Sequence, residues 1–214
     1  MTSTDTLEPA SAIEAPSAPR ATTARPGAIV LARHGEPALS RKCRLTSDQY
    51  REWWGRYELG GLLPGQSPPE HVRKAAERAG AIFASTRQRS IETAKAACGE
   101  RDFTRDALFI EAPLPPPHFP SFIRLSPRTW GVVSRFWWWF FGHHEGQETR
   151  REAQARASKA AEILDHQAAK GQDVLLVAHG FFNTMIGLEL RRRGWRCVQD
   201  RGFKYWSTRH FERP

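Results

Sequence analysis

Two histidines, each carried by a short apolar run onto a glycine, are the residues of this sequence best placed to do chemistry. Residues 28–35 read Ala-Ile-Val-Leu-Ala-Arg-His-Gly, and residues 173–180 read Asp-Val-Leu-Leu-Val-Ala-His-Gly. A neutral imidazole near pH 7 is a nucleophile or a base. Arg33, beside the first of them, presents a planar fork of donors that matches an oxyanion. A third stretch, Ala81-Ile82-Phe83-Ala84-Ser85, runs into Thr86-Arg87-Gln88-Arg89-Ser90. Arg89 then falls in the first turn or so of the helix that follows, where free N–H groups and the helix dipole favour an anion. Two imidazoles and two guanidiniums are a set for handling a phosphoryl group, if the fold brings them together. Taken singly, each has a plainer reading: a strand-end histidine bonded to its neighbours, or an exposed helix arginine.

The elements that would bring them together are short, buried-looking strands. Residues 28–32, after Pro26-Gly27, and residues 174–178 are apolar runs rich in branched side chains, as fully buried strands are. Ligands of an open α/β sheet bind outside the carboxyl ends of its strands, which is where His34 and His179 fall. Gly35 is expected to permit a sharp turn and close approach of a ligand. Helices are predicted from Thr46 to Tyr57, capped by Thr46 or Ser47 with Asp48 in the first turn, and from Pro68 to Ala79. Further helices run from a Ser85 or Thr86 cap to Cys98, from Glu145 to Ala169 with Gly171 closing it, and from Phe181 to Arg192. Strands are also expected at 107–110, ending on Glu111, and at 203–207 as a final edge. Such alternation predicts an α/β fold with a mostly parallel sheet. The loop after the first strand carries Arg41, Lys42 and Arg44, which either line a phosphate pocket or face solvent.

The 214 residues suit one domain. Residues 1–26, dominated by Ala, Pro, Ser and Thr with Asp5, Glu8 and Glu14, read as a disordered tail and not as a signal or transit peptide. The domain then spans 27–214. A formal net charge of +9 favours anionic partners: a phosphorylated small molecule first, a phosphoprotein second. Arg191-Arg192-Arg193 is read as the cationic end of a helix, so no nucleic acid is expected. Cys43, Cys98 and Cys197 lack metal-ligand spacing and read as free thiols, which points to a reducing, cytoplasmic compartment. No apolar run approaches a membrane span. The aromatic run Phe136-Trp137-Trp138-Trp139-Phe140-Phe141 is assigned to a lid, internal packing or a homodimer contact ahead of a membrane interface. The proline-rich residues 112–120 must be extended. Glu111, flanked by Phe109, Ile110 and Leu114, is a candidate general acid; the alternative is an exposed carboxylate before a loop.

In chain order, Arg33-His34-Gly35, Ser85-x-x-x-Arg89-Ser90-x-x-Thr93-Ala94, Glu111 and Ala178-His179-Gly180 resemble the histidine phosphatase superfamily, the phosphoglycerate mutase-like fold. The likeness spans residues 28 to about 190. Gly180 stands where the acid-phosphatase branch carries Asp, so the chain is similar to the mutase and small-phosphatase branch. The resemblance implies a three-layer α/β/α sandwich and metal-independent hydrolysis of a phosphomonoester, with no cofactor. It implies His34 as the nucleophile that becomes phosphohistidine, and Arg33, Arg89 and His179 around the phosphoryl oxygens. Gly180, Ser40 and Arg41 are the further candidate phosphate contacts, and Glu111 the proton donor. The Phe-x-Gly-Trp continuation of the mutases is missing, which disfavours mutase activity. Pro37 and Ser40 hold places where the family often has Ser/Thr and Asn. A Pro/aromatic-rich insertion at about 112–144 replaces the usual Gly-x-Trp-x-Gly, leaving Glu36, Glu145 and Glu148 as rivals of Glu111. Two other readings stay open: a catalytically weak phosphate-binding scaffold, and a membrane-peripheral phosphatase acting on a lipid-linked phosphate.

Overall fold

The computed structural model describes residues 25–214; the tail reading of residues 1–26, but for Arg25 and Pro26, lies outside the described residues. Six strands, β1 (Ile29–Arg33), β2 (Ala79–Ser85), β3 (Thr104–Asp106), β4 (Asp173–Ala178), β5 (Arg196–Asp200) and β6 (Thr208–Glu212), form one sheet ordered β3-β2-β4-β1-β6-β5. β1 runs parallel to β4, with Ile29 opposite Val174 and Arg33 opposite Ala178. β2 is parallel to both β4 and β3. Only β6 and β5, at the other end, pair antiparallel. The helices are α1 (Ser47–Leu59), α2 (Glu70–Arg78), α3 (Gln88–Cys98), α4 (Pro127–Phe141), α5 (Arg150–Ala168) and α6 (Gly180–Arg192).

Side-chain alternation along β1 sends Ile29 and Leu31 into one core, and Val30 and Ala32 into another. The first core is filled by α5 and α6, with Ala157, Leu164 and Ile186 fully covered. The second is closed by Ala76 of α2 and Ala94 of α3. The result is the expected α/β/α sandwich around a mostly parallel sheet. A third cluster, Tyr50, Trp53 and Tyr57 of α1 with Trp130 of α4, joins the two helices that lie over the cleft described below. α1 starts on a capping box, Thr46 with Gln49, and α4 on Ser126 with Pro127 at its first position. The aromatic run forms the second half of α4: Trp138 is buried, while Phe136, Phe140 and Phe141 face outward.

Several local expectations are corrected. Residues 107–109 form a 3-10 turn capped by Asp106, which buries Phe109 against Phe83; the adjacent strand is the short β3. Residues 203–207 are turn, because Trp206 takes φ 61° and cannot extend; the edge strand is β5. The N-cap of α3 is Arg87, without a side-chain cap bond, and Ser85 instead accepts from the Arg87 N–H. α5 begins at Arg150 on a Thr149–Glu152 capping box and ends at Ala168, its C-cap being Ala169 and not Gly171. α2 is shorter than predicted at both ends: it starts at Glu70 with Pro69 as its N-cap, and it stops at Arg78 because Ala79 already belongs to β2. Among the described residues no helix is long and apolar enough to cross a membrane, and the three cysteines are free.

Candidate active site

Since β1 and β4 pair up to Arg33 and Ala178, the next residue of each leaves the same sheet edge. Those residues are His34 and His179. Their rings are buried, with centroids 5.2 Å apart in an edge-on arrangement. Arg89 arrives from the first turn of α3, beyond β2, and is also buried. The His34 Nδ1 lies 2.8 Å from the Gly35 carbonyl oxygen. A carbonyl only accepts, so Nδ1 carries the proton and the lone pair stays on Nε2. The His179 Nδ1 faces the Arg89 guanidinium at 3.4 Å, which donates to it; the His179 Nε2–H then donates to Ser85 Oγ at 2.9 Å. Thr93 ties the parts together, accepting from the Gly35 N–H at 2.9 Å and donating to the Arg89 carbonyl at 2.6 Å. Gly35 itself serves packing and not ligand approach: a Cβ there would meet the Trp206 ring at 2.5 Å.

Three guanidiniums stack on two tyrosines around the imidazoles. Arg89 lies 4.5 Å from the Tyr57 ring centre, Arg33 4.6 Å from that of Tyr205, and Arg41 5.0 and 5.4 Å from the two. Arg41 also donates to the Tyr57 hydroxyl at 2.6 Å, Arg33 to the Phe203 carbonyl, and Arg89 to the Tyr57 carbonyl at 2.8 Å. Of the three, Arg89 alone pairs with a carboxylate among the described residues, Glu58 at 2.7 Å. The buried Nε atoms of all three have no hydrogen-bond partner there. Burial, and then Arg89 and Arg33, hold the His34 pKa well below its ordinary value. Burial followed by Arg89 does the same to His179. Both rings are therefore neutral at pH 7, amid concentrated positive charge. Such a cluster can hold a tetrahedral oxyanion against a neutral ring nitrogen.

Glu111 follows the 3-10 turn and reaches the first turn of α6. Its Oε1 accepts from the N–H of Phe182 at 2.8 Å and of Ala112 at 3.3 Å, and its Oε2 from the N–H of Phe181 at 3.3 Å. It is 8% exposed. A cleft of about 890 Å³ brings together Arg33, His34, Arg41, Arg89, Glu111, His179 and Gly180, and Glu111 is its only acid among the described residues. None of the rivals lines this cleft: Glu145 pairs with Arg51 and Glu148, in a pocket that adjoins Glu111, with Arg156, each at 2.7 Å, and Glu36 is exposed. Ser40 is not brought in; its exposed hydroxyl accepts from the Lys42 N–H at 3.1 Å. Lys42 and Arg44 also stay off the cleft. Sequence reasoning missed Tyr57, Glu58 and Tyr205. One signal pointed to Glu58: an acid in the last turn of α1 opposes the helix dipole and calls for another purpose. Nothing local marks Tyr205.

A model of the histidine phosphatase superfamily (branch 1) matches residues 69–211, about two thirds of the chain. That stretch holds Arg89, Glu111 and His179, while Arg33-His34-Gly35 precedes it. Comparison with curated proteins gives no match. Among solved structures, a phosphoglycerate mutase from Bacillus anthracis superposes with a TM-score of 0.54 at 16% identity, covering 91% of each chain. A mutant phosphoserine phosphatase from Entamoeba histolytica, in complex with phosphoserine, gives 0.52 at 14% identity, over 78% of this chain and 80% of that one. A mycobacterial glucosyl-3-phosphoglycerate phosphatase complexed with VO3 gives 0.51 at 15% identity, over 87% and 92%. At these identities the likeness is one of fold.

Proposed function

The chain belongs to branch 1 of the histidine phosphatase superfamily, and on that premise we propose that it hydrolyses a phosphomonoester through a phosphohistidine on His34. The observation that carries this reading is the state of His34: a ring held neutral, with its proton on Nδ1 and its lone pair on Nε2, lining a cleft beside the guanidiniums of Arg33, Arg41 and Arg89. Nε2 attacks phosphorus in line and the ester P–O bond breaks. Glu111, the one acid on the cleft among the described residues, is the group placed to pass a proton to the departing oxygen. Water then attacks phosphorus, Glu111 takes its proton, and the P–N electron pair returns to His34. Arg33, Arg41 and Arg89 stabilise the spreading negative charge, which is most of the catalysis in phosphoryl transfer. His179, held between Ser85 and Arg89, flanks the phosphoryl group from the neighbouring strand.

Hydrolysis is favoured over mutase transfer by the missing Phe-x-Gly-Trp segment, and a small molecule over a phosphoprotein by a cleft of ligand size. The purified protein is expected to release phosphate from an aryl phosphate with EDTA present and to be inhibited by vanadate. His34→Ala should show no turnover; full activity in that variant refutes the assignment.

A further inference from the structure

Building on that phosphatase reading, we propose that the cleft takes an amphiphilic phosphomonoester: a phosphate head seated at His34 and an extended apolar body along α1 and α4. The volume of about 890 Å³ is near the top of the range for drug-sized ligands, roughly 300–1,000 Å³, and far exceeds what a three-carbon phosphate would fill. Beyond the phosphoryl end the walls are formed by Trp53 and Trp54 of α1, Gly131 and Val132 of α4, Phe181 and Phe203. Gly131 lets the Arg135 guanidinium and the Tyr50 hydroxyl lie close to the backbone of α4, since a Cβ there would approach them to 3.3 and 3.7 Å. The charged residues of this outer part, Arg128, Arg135 and Lys204, are all cations, and among the described residues no Asp, Asn or Gln lines the cleft. Apart from these cations, Tyr50 and Thr184, the lining here is ring and aliphatic surface, against which hydroxyls of a polyol body would go unpaired at a cost that an apolar body does not carry. The cations instead draw in the anionic head.

The exit of the cleft favours length over compactness. Val132 lines the cleft and is 63% exposed. It heads a row with Phe136 and Phe140, which are 48% and 66% exposed and follow at four-residue steps on one face of α4. A chain longer than the cleft thus continues over apolar surface instead of entering water. Its head could be offered by a dispersed amphiphile or by a lipid in a bilayer; the chemistry recognised is the same.

The test is a chain-length series on the full chain. Calorimetric affinities for n-alkyl phosphonates from ethyl to dodecyl, below their aggregation concentrations, are expected to tighten roughly two- to fourfold per methylene until the cleft is filled. Trp54→Ala and Val132→Glu should flatten that slope. A flat series in the parent protein overturns the proposal, even if every matching alkyl phosphate is hydrolysed. A rising series without turnover of any alkyl phosphate keeps the apolar body site and overturns the phosphatase reading instead. Release of phosphate from phosphatidic acid in phosphatidylcholine vesicles would identify the bilayer as the source; release from dispersed octyl phosphate alone would identify the free amphiphile, and either supports the proposal.

Discussion

Removing the carboxylate of Glu58 should weaken the empty protein while strengthening its hold on phosphate. Glu58 Oε1 sits 2.7 Å from Arg89 and Oε2 2.7 Å from Arg87; the side chains of Glu58 and Arg89 are 14% and 1% exposed. Depriving a buried guanidinium of its partner costs about 3–5 kcal/mol. The lower end applies, because Arg89 keeps the Tyr57 carbonyl at 2.8 Å and the face of the Tyr57 ring. Against this, the acid opposes the dipole in the last turn of α1, and its loss returns about 0.3–1 kcal/mol. Glu58→Ala should therefore lose about 2 kcal/mol, or roughly 4–8 °C in Tm at this chain length. A bound phosphate replaces the missing negative charge beside Arg89. If it restores about half of the loss, linkage makes its Kd about fivefold tighter. Urea melts with and without phosphate, together with a calorimetric Kd, measure both quantities. An unchanged melting curve, or a phosphate Kd that stays the same or weakens, would refute the placing of Arg89 at the anion.

Three further outcomes follow from the same geometry. Because His34 and His179 are held neutral in the fold while the unfolded chain takes up protons below about pH 6.5, stability is complete above that pH. It falls on acidification by about 1.4 kcal/mol per pH unit for each ring until the depressed folded pKa is reached. Urea midpoints between pH 7.5 and 5.5 should show this, with a shallower profile in His179→Gln; a flat parent profile contradicts it. In Gly35→Ala the new methyl would meet the Trp206 ring at 2.5 Å, and overpacking of that kind costs about 1–3 kcal/mol; a Tm equal to the parent's would show that Trp206 is free to move away. Glu111→Gln should slow hydrolysis of alkyl phosphates much more than of aryl phosphates, whose leaving oxygens need less help from an acid; equal slowing of both would remove Glu111 as proton donor.

The centre of the site was readable in the sequence because buried parallel strands announce themselves as short apolar runs. Two such runs ending in His-Gly imply a shared edge before any contact is known. Capping chemistry likewise located α1 through Thr46. What misled were runs too short for periodicity to decide. Four apolar residues at 107–110 fit a strand as well as the Asp106-capped turn formed at 107–109, and the aromatic-rich stretch at 203–207 gave no sign that Trp206 adopts positive φ. The rest was invisible because it depends on residues far apart in the chain. Tyr205 supports Arg33 and Arg41 only because the turn before β6 folds back over β1, and Trp206 explains Gly35 for the same reason. Ser40 shows the converse, being adjacent to Arg41 in sequence yet turned to the Lys42 backbone.

The role of His34 is tested most directly by the stereochemical course at phosphorus, followed with a phosphorothioate ester made chiral by oxygen isotopes. Attack by His34 and then by water carrying the third oxygen isotope inverts the centre twice, so the chiral thiophosphate released should retain the configuration of the substrate. Net inversion would mean a single direct attack by water, and would contradict a covalent intermediate on His34.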